Sequence, residues 1–237
     1  MKKFLAFTLG EVLIALGVIG VVATLILPQL ISGHKASIAQ SQFNTAYAML
    51  SQAIDSMEAD RVSIMPAKYA GKLNSFYPIA KNYFKIIEDC GVLSDTTENK
   101  QSACPKKSNT YTEYNSNSNH AASIIGSVVK STSFVTNNGM LVIITNDDSI
   151  YKTQLFISVD INGANKLPNK LGWDLFSFEL TNQGLLPVGA PGTYLGSETN
   201  REKYCKKDDS STLMNGWTCG EKALTSTDYF KDLYHGH

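Results

Sequence analysis

Apolar residues follow two successive patterns near the start of the chain, a continuous run and then a periodic stripe. Residues 12–31 carry no charged side chain, and about 20 such residues are what a helix needs to cross the hydrocarbon core of a membrane. Over residues 35–58, apolar side chains recur at steps of three and four, which predicts an amphipathic helix. The two patterns together predict one N-terminal helix over residues 7–58, with a transmembrane segment at about 7–31. The apolar stripe consists of Phe43, Tyr47, Leu50, Ile54 and Met57.

Residues 59–237 are predicted to form a globular head. Apolar residues at helical spacing predict a second helix over residues 73–88. A stretch rich in Ser, Asn, Lys and Thr predicts an exposed loop over residues 106–121. Beyond Gly184 the pattern predicts turns rather than regular elements.

Strand-like runs occupy the middle of the head, where β-branched and apolar residues alternate with turn residues. The Asn137-Asn138-Gly139 turn between the first two runs favours a β-hairpin. Helices followed by consecutive strands predict an α+β fold, in which an antiparallel sheet packs against the long N-terminal helix. The predicted strands are Ser133–Thr136, Met140–Thr145, Gln154–Ile161 and Leu175–Leu180.

Composition and charge narrow the functional classes. The 237-residue chain is 43% hydrophobic, so it can bury a core, and its formal net charge is zero. With no basic excess, broad electrostatic binding to nucleic acid is not favoured. The sequence contains no G-x-S-x-G, no H-E-x-x-H and no Walker phosphate loop, so no enzyme is predicted.

Four cysteines are present, and none belongs to a C-x-x-C pair. Four cysteines allow three pairings. Pairs Cys90–Cys104 and Cys205–Cys219 are preferred, because each brackets a short polar segment with turn residues. An even number of cysteines in a translocated chain predicts disulfides formed in an oxidising compartment, whereas four free thiols would indicate a cytosolic protein.

Charges at the two ends of the apolar run predict its orientation. Lys2 and Lys3 precede the run, and no basic cluster follows before His34 and Lys35. The positive-inside rule then places the N-terminus in the cytoplasm and the head outside. A cleaved signal peptide would have a shorter apolar stretch closed by a small-x-small site, which this run lacks. An uncleaved signal anchor fits the hydropathy equally well.

Glu11 distinguishes a plain anchor from a specialised one. A carboxylate costs about 2.5–3.5 kcal/mol at the centre of a span and less near its end, so Glu11 needs a partner or must reach water. The segment Phe7-Thr8-Leu9-Gly10-Glu11, preceded by two lysines, resembles the class III signal of type IV pilins and type II secretion pseudopilins. Pro28, 21 residues after Phe7, stands where that family tends to place a proline. A proline inside a helix also predicts a kink or local melting at this position.

The resemblance implies a processing step and an assembly step. A prepilin peptidase would cut between Ala6, where the family prefers glycine, and Phe7, removing residues 1–6 and methylating the freed amine. Glu11 would then pair with the amine of a neighbouring subunit. The implied partners are this peptidase, other pilin or pseudopilin subunits, an inner-membrane assembly platform and membrane lipid. The implied location is the inner membrane as a single-pass protein with a periplasmic head, and the cell surface or fibre after assembly.

Oxygen-bearing side chains cluster between two predicted strands. Asp160, Asn162, Asn165 and Asp174, with Gly163 among them, offer the hard oxygen ligands that calcium requires. The pattern departs from an EF-hand, and Asx and Gly residues also build turns without a metal. A calcium loop and a metal-free turn are therefore both open, and no other cofactor is predicted.

Three functions are compatible with these features. The first is a structural subunit, pilin or pseudopilin, whose large head favours a minor or specialised role. The second is a membrane-anchored binding protein, an adhesin or DNA-uptake component, that shares only the N-terminal signal. The third is an anchored hydrolase, for which the sequence shows no clustered nucleophile and base.

Overall fold

One long helix and one six-stranded sheet form the framework of the protein. Helix α1 runs from Leu9 to Ala59 and passes through Pro28 without interruption. Because the helix continues through this proline, local melting is not observed there, and a kink stays a prediction. The computed structural model describes residues 8–92, 103–105, 111–115, 131–146 and 153–235.

The sheet is an antiparallel meander in which each strand pairs with its neighbours in chain order. The turn at residues 137–139 joins β2 to β3 as the sequence predicts, with Phe134 opposite Val142. A long helix packed against an antiparallel sheet confirms the predicted α+β class. The strands are β1 Ile86–Val92, β2 Thr132–Thr136, β3 Leu141–Thr145, β4 Leu155–Asp160, β5 Leu175–Thr181 and β6 Gly184–Pro187.

Both faces of the sheet are buried, which explains why its central strands read as nearly continuous apolar runs. Successive side chains of a strand point to opposite faces. In β3, Val142 and Ile144 face the cluster shared with α1, whereas Leu141 and Ile143 face a second cluster on the other side.

The C-terminal half of α1 supplies the helical side of the main core. Its buried residues begin at Ala36 and end at Met57, at the helical spacing that the sequence predicts. Phe43 is fully buried, and its ring lies 4.7 Å from Phe176 and 5.8 Å from Phe230. Tyr47 is only partly buried and stacks on the same sheet face.

Several short helices complete the head. Helix α2 comprises Tyr77–Ala80, and 3-10 turns lie at Pro66–Lys68 and Lys81–Tyr83. The C-terminal segment, predicted as turns, instead contains strand β6 and three helices. These are α3 Glu198–Lys203, α4 Cys219–Thr225 and α5 Tyr229–His235.

Both predicted disulfides are present. Cys90 in β1 is bonded to Cys104, with 5.6 Å between their Cα atoms. Cys205 is bonded to Cys219 at the start of α4, with 5.0 Å between their Cα atoms. The four-free-thiol alternative is therefore wrong.

The helix predicted over residues 73–88 is wrong for most of its length. Only one short α-helical turn and a 3-10 turn form, and the chain enters β1 at Ile86. Ile86 lies opposite Thr136 of β2, so this pairing with a distant strand outweighs the local helical spacing.

The exposed loop predicted over residues 106–121 is also wrong where the structure describes it. Tyr111, Glu113 and Tyr114 are buried. The Thr112 N–H donates to the Asn169 carbonyl at 2.9 Å, so this stretch joins the loop before β5. The remainder of the predicted loop lies outside the described residues.

Candidate functional site

The N-terminal half of α1 carries an apolar surface that nothing else in the described chain covers. Every large apolar side chain from Leu9 to Ile31 is at least 44% exposed. By length and composition, this one helix can cross a membrane, and none of its most apolar window is buried inside the protein. Burial begins only at Ala36. The helix is therefore divided into a bare half and a packed half.

Glu11 lies at the N-terminal end of the bare half, where it closes the first turn of α1. Its Oε2 accepts hydrogen bonds from the Thr8 backbone N–H and the Thr8 hydroxyl, both at 2.8 Å. The Glu11 N–H donates in return to Thr8 Oγ1 at 3.3 Å. This reciprocal arrangement is a capping box, which satisfies N–H groups that a helix start leaves without partners.

The capping box gives Glu11 a local role that the sequence argument missed. The signal was readable, because Ser or Thr followed three residues later by Glu marks a helix start. Both partners also lie on the C-terminal side of the predicted cut, so processing would preserve the box. Ala6 and Phe7 themselves lie outside the described residues.

The second candidate site is the loop between β4 and β5. Asp160 and Asp174 are 0% and 2% exposed. Because buried carboxylates are costly without partners, their hydrogen bonds decide how the loop is held. Asp160 Oδ1 accepts from the backbone N–H groups of Asn162 at 3.2 Å and Gly163 at 2.9 Å. Its Oδ2 accepts from the Tyr111 hydroxyl at 2.6 Å.

Asp174 is held in the same way. Its Oδ2 accepts from the Asn169 N–H at 2.7 Å and from Asn162 Nδ2 at 3.4 Å. Its Oδ1 accepts from the Lys170 N–H at 2.6 Å. Every oxygen of the two carboxylates thus has a donor, and most of the donors are backbone N–H groups of the loop itself.

The burial of these two aspartates raises their pKa values. Burial raises the pKa of Asp160 above the ordinary aspartate value, against the opposing effect of its hydrogen bonds. Burial also raises the pKa of Asp174, and the negative charge of Asp160 raises it further. The pKa of Tyr111 rises for the same two reasons, burial and the nearby Asp160 carboxylate.

The hydrogen bonds support the metal-free turn rather than the calcium loop. Calcium takes 6–8 oxygen ligands, but the two carboxylates already accept from N–H and O–H donors. Asn165 is exposed at the tip of the turn, whereas the buried Asn169, which the sequence did not single out, occupies the network. No three His, Cys, Asp or Glu side chains gather as a metal site within the described part of the chain.

Two amide oxygens in this network stay unexplained by the turn. Asn162 Oδ1 and Asn169 Oδ1 are buried and accept no hydrogen bond from the described residues. Amide oxygens are among the ligands that calcium takes in proteins. The hydrogen bonds favour the metal-free turn, and the calcium loop stays open as the alternative to be tested.

Comparison with known protein families, with curated proteins and with solved structures gives no match for this chain.

Proposed function

We propose that the chain is a structural subunit, pilin or pseudopilin, of a type IV pilus or type II secretion fibre. The size of its head favours a minor subunit. The proposal rests on the N-terminal motif together with the arrangement of α1. It names an assembly role and no catalytic one.

The observation that carries the proposal is the division of one continuous helix into a bare half and a packed half. The apolar side chains are exposed through Ile31, and from Ala36 onward one face of the helix is buried in the head. A cleaved signal peptide is a separate segment, whereas here the apolar run continues into the helix that forms the core of the head. This continuity supports a mature protein that keeps its membrane segment, and the N-terminal motif, rather than the continuity, favours a fibre subunit over a plain anchor.

Charge and disulfides support the orientation, and the resemblance of the N-terminal motif implies the partners. The basic residues ahead of the apolar run favour a cytoplasmic N-terminus, and the two disulfides favour an oxidising compartment such as the periplasm for the head. The partners would be prepilin peptidase, other subunits of the fibre and the inner-membrane assembly platform. Membrane lipid would surround the bare helix before assembly.

Mass spectrometry of the native N-terminus tests the processing step. We expect a mature chain that starts at Phe7 with a methylated amine, present both in membranes and in sheared fibres. A strain without prepilin peptidase is the control, and there the chain should start at Met1.

Three other outcomes would contradict the proposal. An intact Met1 in the wild-type strain would indicate a plain signal anchor. A new N-terminus beyond residue 31 would indicate a cleaved signal peptide. A correctly processed chain that is absent from sheared fibres would favour the membrane-anchored binding protein.

A further inference from the structure

A groove of about 1010 Å³ runs between α1 and the underside of the head. Its helix wall extends from Thr24 to Gln42, and its head wall is formed by the loop before β5 and by the last helix. At 1.5 Å per residue this helix wall is about 27 Å long. It therefore crosses the point near Ile31 where the apolar run ends.

The head wall of the groove places an apolar side chain beside the membrane segment. Leu167 is 83% exposed, the highest value among the large exposed apolar residues of the described chain. It lines the groove together with Leu27 and Ile31 of α1. If the apolar run of α1 lies in the bilayer, this loop lies at the membrane–water boundary on the side of the head.

Leu167 is held in place by the polar network described above. The Leu167 carbonyl accepts from Asn162 Nδ2 at 3.3 Å, and the same amide donates to Asp174. The loop is thus tied to a buried carboxylate, and the exposed leucine is presented by a fixed backbone. The hydrogen bonds around the two buried aspartates can therefore serve to position this loop without a metal.

The rim of the groove has the chemistry of a membrane interface. Trp173 and Tyr234 line it, with their rings in an edge contact at 5.5 Å, and both residue types are enriched at the headgroup level. Lys35 and Lys166 are exposed and also line the groove. Their stems can lie on apolar surface while their ammonium groups meet anionic phosphates.

We propose that this groove binds a phospholipid of the outer leaflet of the inner membrane, with the Leu167 loop inserted at the headgroup level. An acyl chain would occupy the space between Leu167 and α1, and the two lysines would contact the phosphate. The docked loop would fix the tilt of the head on the membrane before assembly. The inference rests on the proposed membrane-anchored subunit, and it adds a lipid contact made by the head itself.

The test uses the full chain reconstituted in vesicles of phosphatidylethanolamine and phosphatidylglycerol. Leu167→Cys provides a labelling position for an environment-sensitive fluorophore, because all four native cysteines are disulfide-bonded. The control variant is Leu213→Cys, since Leu213 is also exposed, at 56%, and does not line the groove. Lipids that carry a nitroxide quencher near the headgroup or deep in the acyl chain report the depth of each probe.

We expect blue-shifted emission at position 167 and quenching by the shallow nitroxide, with neither effect at position 213. A probe at 167 that stays solvent-like, in a chain that resists extraction from the vesicles, would overturn the lipid contact and leave the anchor intact. A chain that alkaline carbonate removes from the vesicles would overturn the anchor as well. Quenching at 167 that increases as the protein is diluted in lipid would show that a second copy otherwise fills the groove, and this too would overturn the proposal.

Discussion

The charge of Glu11 and its capping role can be separated by three substitutions. Glu11→Ala removes the charge and the cap together. Glu11→Gln removes the charge but keeps the cap, because Gln can also accept from the Thr8 N–H in a capping box. Thr8→Ala removes the hydroxyl that accepts from the Glu11 N–H and leaves the carboxylate in place.

The two roles differ in magnitude. Losing an N-cap hydroxyl costs about 0.5–2 kcal/mol, and the Glu11 carboxylate would still accept from the Thr8 backbone N–H. Breaking a buried ion pair by removing one partner costs about 3–5 kcal/mol. Since each 1.4 kcal/mol is about tenfold in an equilibrium, loss of the proposed pair between subunits should reduce assembly by roughly 10²- to 4 × 10³-fold.

The assay measures sheared fibres against total subunit in cells that assemble the fibre. We expect Thr8→Ala to assemble within a few-fold of the wild type, whereas Glu11→Ala and Glu11→Gln should be nearly absent from fibres. All three variants should resist carbonate extraction, because neither the loss of a charge at Glu11 nor the loss of a hydroxyl at Thr8 hinders insertion into a membrane.

The pattern across the three variants decides between the roles. Normal assembly of Glu11→Gln, combined with a defect in Thr8→Ala, would assign Glu11 to capping alone and refute the pairing argument. Normal assembly of Glu11→Ala would refute both roles.

The remaining predictions concern the head and are measured on the full chain in detergent micelles. Phe43→Ala should lower the free energy of unfolding by about 3–5 kcal/mol, because a fully buried ring leaves a cavity, whereas Asn44→Ala, at an exposed neighbour, should change it by less than about 0.5 kcal/mol. Replacing both Cys205 and Cys219 by Ser should cost about 3 kcal/mol in urea unfolding, as expected for a closed loop of this length. The free energy of unfolding should fall as pH rises from the ordinary aspartate pKa through the raised pKa values of Asp160, about 6, and Asp174, about 8, because in this range the folded state binds more protons than the unfolded chain. Asp174→Asn should make the free energy of unfolding depend less on pH. An unchanged pH dependence would contradict the assignment of this effect to Asp174. Calcium and a chelator should give the same melting temperature, and a rise with calcium would instead favour the metal loop.

The strands of the sheet could be predicted closely because their signals are local. β3 starts one residue later than predicted, at Leu141, and the Asn-Asn-Gly turn forms as expected. β1 could not be predicted, because its apolar spacing also fits a helix and its partner strand lies far along the chain. The structure of the C-terminal segment could not be predicted for the same reason, since it depends on contacts with distant strands. Its Trp217 packs on the second face of the sheet, 5.2 Å from Phe156.

In the candidate sites, too, contacts between residues close in sequence could be predicted and contacts between distant residues could not. The acidic loop was visible as a cluster of Asp and Asn residues, yet its main hydroxyl donor, Tyr111, lies 49 residues away from Asp160. Only the fold brings the two together. The capping box of Glu11, by contrast, lies within four consecutive residues and was open to prediction.

If the chain is the proposed fibre subunit, the bare half of α1 gives a physical reason for one carboxylate to control assembly. Covering each exposed Leu, Ile or Val stabilises the chain by about 1.5–3 kcal/mol relative to water, so this segment requires a cover at all times. Lipid tails are as apolar as the side chains of neighbouring helices, so hydrophobic burial gives little preference between the membrane and a fibre. The selective force must therefore come from packing and from polar groups within the bare segment. Glu11 is its one charged side chain between Leu9 and Ile31, and an amine offered by a neighbouring subunit is a partner that lipid tails cannot provide.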